Sequence, residues 1–126
     1  MKTVFLSHRT ADTAAATRVA EVLQDAGHIV RFDDWDVRVG DSIIGFMNDA
    51  MASDALVLCL SDKGDGPFMR REWQAYLHSM LQRGERRILP IRLTGGDLPP
   101  ILADLLLADA VADFDGAMAA VLEALR

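Results

Sequence analysis

Four largely apolar stretches set the frame of the chain: Thr3 to Leu6, His28 to Phe32, Ala55 to Leu60 and Arg87 to Leu93. Each reads as a strand. The third, Ala55-Leu56-Val57-Leu58-Cys59-Leu60, carries no charged or hydrogen-bonding side chain apart from a thiol, which suits a central strand covered on both faces, as in a parallel sheet. A weaker fifth strand is predicted over Ala110 to Phe114. Between these runs the apolar residues fall at helical spacing. From Asp12, alanines with Val19, Val22 and Leu23 predict a helix that Gly27 stops just past its end. Asp41 or Ser42 can cap a second helix with apolar positions Ile43, Ile44, Met47 and Met51. Pro67 suits the first turn of a third, whose inward stripe is Met69, Trp73, Leu77 and Met80 and whose end lies near Gly84. A short helix is predicted over Ile101 to Leu107 and a capped final one over Asp115 to Arg126.

Strands alternating with helices through short loops predict a single α/β domain over residues 1–126: a flavodoxin-like, doubly wound parallel sheet of five strands with helices on both faces. The common strand order for such a domain is 2-1-3-4-5. Ligands of open α/β sheets bind outside the carboxyl ends of the strands where the order reverses, here between strands one and three. Two loops flank that point, Ser7 to Asp12 and Ser61 to Pro67. In the second, Gly64 and Gly66 let the turn bend freely before the helix opens. Phe68, Glu72 and Tyr76 lie four apart on that helix and share one face, beside the apolar stripe.

Composition narrows the partners. The 126 residues are 51% hydrophobic and 25% charged, with a mean hydropathy of +0.14, and no apolar run approaches the roughly 20 residues of a membrane-spanning helix. A formal charge of −6 and a pI near 4.9 disfavour direct binding of nucleic acid, since phosphates call for a clustered basic surface. The pairs Arg70-Arg71 and Arg86-Arg87 do not change that. One cysteine, Cys59, excludes a disulfide within the chain, and Met1-Lys2 lead straight into a strand, so a reduced, cytoplasmic setting without a secretory leader or membrane contact is expected.

Three motifs in this order and spacing carry a resemblance: Val4-Phe5-Leu6-Ser7-His8 with Asp12; Phe32-Asp33-Asp34 through Gly40-Asp41-Ser42; and Leu58-Cys59-Leu60-Ser61 with Phe68-Met69-Arg70-Arg71-Glu72. Over its whole length the chain resembles a TIR (Toll/interleukin-1 receptor) domain, most like the bacterial ones. Many members cleave NAD, and the resemblance implies that Glu72 is the catalytic residue and Phe68 its aromatic partner four residues earlier. It further implies substrate contacts from Ser7, His8 and Arg9, with Asp36 and Ser42 as weaker candidates for ribose or adenosine. Trp35, Val39 and Gly40 would belong to a self-assembly loop that covers a neighbouring domain's site. Departures from the family pattern are Phe68-Met69 in place of a Trp-Cys pair, His8 in place of a tyrosine, and a loop after strand two without its proline. The implied activity is release of nicotinamide from NAD, with ADP-ribose or a cyclised variant as product, in bacterial antiphage immunity. NAD would be substrate, with no cofactor and no metal. Partners would be other TIR domains and a sensing domain elsewhere in a longer protein.

The chemistry suits these residue types. Breaking the ribose–nicotinamide bond expels a neutral ring, so no general acid is needed; a carboxylate has to stabilise an oxocarbenium-like ribose. The guanidinium of Arg9 suits phosphate oxygens. Taken without the resemblance, Glu72 reads as a helix-surface residue favoured by the helix dipole, and Arg9 equally as a phosphate ligand or a solvated loop charge. His8, His28 and His78 share no metal-ligand spacing, Cys59 and Trp73 read as core, and Gly64-Asp65-Gly66 and Gly95-Gly96 are too short for phosphate-loop fingerprints. The acidic loop Asp33, Asp34, Asp36 follows strand two, and strand three ends in Leu60-Ser61, which disfavours a magnesium-binding receiver. A second reading is therefore a non-enzymatic scaffold that only recruits other TIR domains. A distant third is a nucleoside-processing transferase of similar fold.

Overall fold

A strand with no charged side chain has to be flanked on both edges and covered on both faces, and Ala55–Leu60 is buried at every position. The computed structural model describes residues 1–34, 45, 48–49, 52–64, 78, 82, 87–98, 100–103 and 105–126. Its five parallel strands are β1 Thr3–His8, β2 Ile29–Asp34, β3 Ala55–Leu60, β4 Arg87–Arg92 and β5 Ala108–Asp109, in the order β2-β1-β3-β4-β5. The flavodoxin-like order expected from the sequence is the one observed. The register runs from Val4↔Ala55 to Ser7↔Leu58 between β1 and β3, and from Thr3↔Ile29 to His8↔Asp34 between β1 and β2. Strand order therefore reverses at β1, whose carboxyl end pairs Ser7 with Asp33 of β2 on one side and with Leu58 of β3 on the other.

Side-chain alternation divides the sheet into two faces. On one, Val4 and Leu6 of β1, Ala55, Val57 and Cys59 of β3, and Ile91 of β4 meet two helices. Helix α1, Thr13–Asp25, contributes Ala16, Val19, Ala20 and Leu23, a stripe at spacings of three and four. The C-terminal helix, Phe114–Ala124, contributes Ala117, Met118 and Val121. Full burial of Val19 or Leu23 contributes about 1.5–3 kcal/mol each. The Arg18 guanidinium carbon stands 4.2 Å from the centroid of the Phe114 ring and joins the two helices on their outer side. On the opposite face Phe5, Ser7, Leu56, Leu58 and Leu60 are buried as well.

Local chemistry fixes the helix ends. Gly27 adopts φ +93°, its N–H donates to Gln24 O at 2.9 Å and that of His28 to Leu23 O at 3.1 Å, a Schellman closure of α1. At the start of the last helix, Asp113 Oδ1 accepts the N–H of Gly116 at 3.1 Å. Gly45, Asn48 and Asp49 are helical where the second helix was expected, and so are His78 and Gln82 in the third; the rest of those helices lies outside the described residues.

Four expectations change. Strand β2 runs on through Asp33 and Asp34, expected in the acidic loop, because both pair with β1. Strand β1 continues through Ser7 and His8, whose polar side chains read as loop, because Asp33 and Asp34 extend the ladder beside them. The fifth strand is Ala108–Asp109 rather than Ala110 to Phe114. There Asp109 Oδ1 accepts the N–H groups of Val111 and Ala112, both at 3.1 Å, turning the backbone out of the ladder. The helix expected over Ile101 to Leu107 is only a 3-10 turn, Pro100–Leu102. Leu102 is buried whereas Leu106 is 94% exposed, so the leucines do not form the one-sided stripe an α-helix would need.

Candidate functional site

At the carboxyl end of the sheet four loops meet. Ser7 and His8 end β1 and are both buried; no hydrogen-bond partner for the Ser7 hydroxyl occurs among the described residues. His8 Nε2 lies 3.2 Å from Thr13 Oγ1, and Thr13 Oγ1 donates its own proton to Thr10 O at 2.8 Å. With that proton committed, the Thr13 oxygen accepts, so His8 carries a hydrogen on Nε2. The strand end and the first turn of α1 are thus joined through the His8 ring.

Arg9, half-buried, crosses to the loop after β3. Its Nη1 donates to Gly64 O at 2.9 Å and to Lys63 O at 3.2 Å. The receiving turn, Ser61 to Gly64, also closes on itself: Gly64 N–H donates to Ser61 O at 3.2 Å, and Lys63 N–H to Ser61 Oγ at 3.0 Å. Gly64 takes φ +96°, a conformation that favours glycine. From this turn the chain continues toward Phe68 and Glu72.

The loop after β4 holds the same turn from the other side. Thr94 Oγ1 accepts the Asp62 N–H at 3.2 Å and lies 3.1 Å from Asp12 Oδ2 and 3.3 Å from Asp62 Oδ1. One hydroxyl proton serves two carboxylates, so it satisfies one of them at a time. Asp12 is buried at the head of α1, which makes Thr94 the link between the loops after β1, β3 and β4. Gly96, at φ +83°, backs onto the same turn: a Cβ there would sit 2.5 Å from Ser61 O. Arg92 then secures the far side of this loop, with Nε donating to Gly96 O at 2.9 Å, Nη1 to Asp109 Oδ2 at 2.9 Å and Nη2 to Asp97 Oδ1 at 3.1 Å. The backbone N–H of Ala112, followed by the Arg92 guanidinium, holds the Asp109 carboxyl below the usual carboxylate range.

Of the residues singled out from the sequence, Ser7, His8 and Arg9 share one strand end, and among the described residues of that set Arg9 alone reaches across the switch point. Trp35, Asp36, Val39, Gly40, Ser42, Phe68 and Glu72 lie outside the described residues. Cys59 is core: burial first, and then the negative charge of Asp12, push its thiol well above the ordinary range, so it is no nucleophile at neutral pH. No group of three or more His, Cys, Asp or Glu placed to hold a metal ion occurs among the described residues. Sequence reasoning assigned no role to Asp62, Thr94 or Arg92. The signal available for them was a charged residue inside an apolar strand, followed by a threonine and two glycines.

A family model described as a TIR domain matches residues 4–125. Among solved structures, the TIR domain of the Toll-related receptor TRR-2 from Hydra magnipapillata aligns with a TM-score of 0.62 at 18% identity, covering 89% of this chain and 86% of that one. A metazoan TIR-STING receptor from C. gigas, solved in complex with 2',3'-cGAMP, aligns with a TM-score of 0.64 at 23% identity over 91% of this chain. This chain spans only 38% of that receptor. At such identities the likeness is one of fold. No protein of curated function matches the sequence.

Proposed function

The chain belongs to the TIR domain family, and from that premise we propose that it is a bacterial-type NAD glycohydrolase, active when assembled with further copies. The observation that carries the reading is the switch-point edge. There the buried Ser7 hydroxyl, with no partner among the described residues, stands at the end of β1 while the adjoining β3 turn leads toward Glu72. In this reading Glu72 stabilises the oxocarbenium-like ribose as neutral nicotinamide departs, and Phe68 walls the nicotinamide pocket. The Ser7 hydroxyl, already stripped of water, donates to a ribose oxygen. Asp36 and Ser42 line the adenosine side, and the loop of Trp35, Val39 and Gly40 closes a neighbouring copy's site. ADP-ribose or its cyclised form is the second product. The setting is cytoplasmic antiphage defence, with a sensing segment of the full-length protein as trigger; no helix among the described residues is long and apolar enough to cross a membrane.

The test is nicotinamide release from NAD by concentrated or crowded protein, with Glu72→Ala in parallel. The wild type is expected to turn over and the variant to lose at least about a hundredfold in rate. Release that persists in Glu72→Ala removes Glu72 from the mechanism. No release under any assembling condition leaves the scaffold reading, in which the domain only recruits other TIR domains.

A further inference from the structure

The chemistry of a guanidinium suits Arg9 to the substrate's phosphates, whereas the geometry gives it an intramolecular task. Its Nη1 donates to two consecutive carbonyl oxygens, those of Lys63 and Gly64, across the switch point. On the other side of the same turn, the Asp62 N–H is taken by Thr94 Oγ1, and Thr94 is itself tied to the buried Asp12 carboxylate. Ser61 is boxed in by Gly96, whose missing Cβ permits the contact with Ser61 O. Three residues of the turn are therefore hydrogen-bonded from outside it, Asp62 by Thr94 and Lys63 and Gly64 by Arg9, while the backbone of Gly96 packs against Ser61. A solvated four-residue turn needs no such restraint from two other loops. The chain leaves this turn directly into the segment that carries Glu72, eight positions beyond Gly64.

We propose that Arg9 and Thr94 are positioning residues that clamp the Ser61–Gly64 turn from opposite sides and so fix the point from which the Glu72 segment departs. The catalytic half of this proposal rests on Glu72 acting as proposed above; the clamp itself does not. Displacing a catalytic group by about an ångström costs as much as a hundredfold in rate, so a loosened turn is read in turnover rather than in substrate affinity. A phosphate ligand has the opposite signature, because removing it weakens binding of NAD first.

The experiment combines amide hydrogen exchange over residues 61–72 with steady-state NAD cleavage, both on the full chain under assembling conditions, for wild type, Arg9→Gln, Arg9→Lys, Thr94→Val and Thr94→Ser. Arg9→Gln and Thr94→Val are expected to accelerate exchange in the turn and to lower kcat by about tenfold with KM for NAD within about twofold. Thr94→Ser, which keeps the hydroxyl, restores both readouts; Arg9→Lys, which keeps the charge but not the two-pronged geometry, restores them in part. A tenfold rise in KM at unchanged kcat and unchanged exchange in Arg9→Gln overturns the proposal and returns Arg9 to the phosphates. If the wild type releases no nicotinamide, the functional reading fails separately. Exchange then decides the clamp alone, and an unaltered turn in Arg9→Gln and Thr94→Val overturns it.

Discussion

Arg9 and Gly64 stand 55 positions apart in the chain, and a 2.9 Å hydrogen bond from Arg9 Nη1 to the Gly64 carbonyl joins the two loops that flank the switch point. Together with the contact to Lys63 O it bridges the crevice where an open α/β sheet takes its ligand. The β3 turn is consequently tied to the loop after β1 by contacts between residues more than fifty positions apart.

The contact between Gly96 and Ser61 can be separated from backbone strain by comparing two glycines. Gly27 and Gly96 both lie at positive φ, +93° and +83°, but a Cβ on Gly27 meets open space while one on Gly96 would sit 2.5 Å from Ser61 O. Gly27→Ala is expected to cost about 1–2 kcal/mol, the penalty of a left-handed conformation. Gly96→Ala should cost at least about 1 kcal/mol more, because backbone has to move. Urea midpoints of the two variants measure the difference; equal losses would mean that the loop after β4 does not press on the turn.

Burial keeps the Cys59 thiol protonated in the folded protein, above the ordinary value of 9.0. The sign depends on which state releases the proton. The unfolded chain ionises near its ordinary value and the folded one does not, so this contribution is fully present below about pH 9 and is lost as pH rises beyond it. The slope attributable to Cys59 approaches about 1.4 kcal/mol per pH unit. Unfolding free energies of wild type and Cys59→Ala above that pH should therefore converge. In native protein at neutral pH the thiol should react with a disulfide reagent only as fast as the chain opens.

The sheet order was legible because each of its four main strands is announced by an apolar run, and only one order is common for alternating units of this size. Strand ends were not, since Ser7 and His8 are polar yet paired; what extends β1 is the partner strand, which lies more than twenty positions away. Asp109 carries the opposite lesson. Its side chain withdraws two backbone N–H groups from the ladder, and propensity alone placed the last strand downstream of it. The interlock of Asp12, Asp62 and Thr94 was invisible for a related reason: no local pattern encodes a contact across 82 positions, such as that from Thr94 to Asp12.

Asp109 also contributes to the acid sensitivity of the fold. Its carboxyl is held low by the Ala112 N–H and by Arg92, so the linked stability is present above its ordinary value of 3.8 and is lost as pH falls through that region. Asp109→Asn keeps the side chain's shape while removing the charge that Arg92 faces. The drop in urea midpoint between about pH 6 and about pH 3 should be smaller in that variant than in wild type. An identical drop would show that other carboxylates account for all of it.

Ser7 gives a prediction in which stability and activity move in opposite directions. A buried hydroxyl without a partner, as Ser7 is among the described residues, weakens the fold by about 1–3 kcal/mol relative to a group that never wanted one. Ser7→Ala should therefore leave stability unchanged or raise it by about 1 kcal/mol, with no cavity larger than one oxygen atom. If the hydroxyl is kept for a ribose oxygen, the same variant should raise KM for NAD by about tenfold, the loss of one hydrogen bond to a desolvated donor. Thermal midpoints and NAD cleavage on the same preparation read both effects. A more stable Ser7→Ala with unaltered kinetics would show that the hydroxyl is a tolerated flaw in the packing, and would move the ribose contact elsewhere along the switch-point edge.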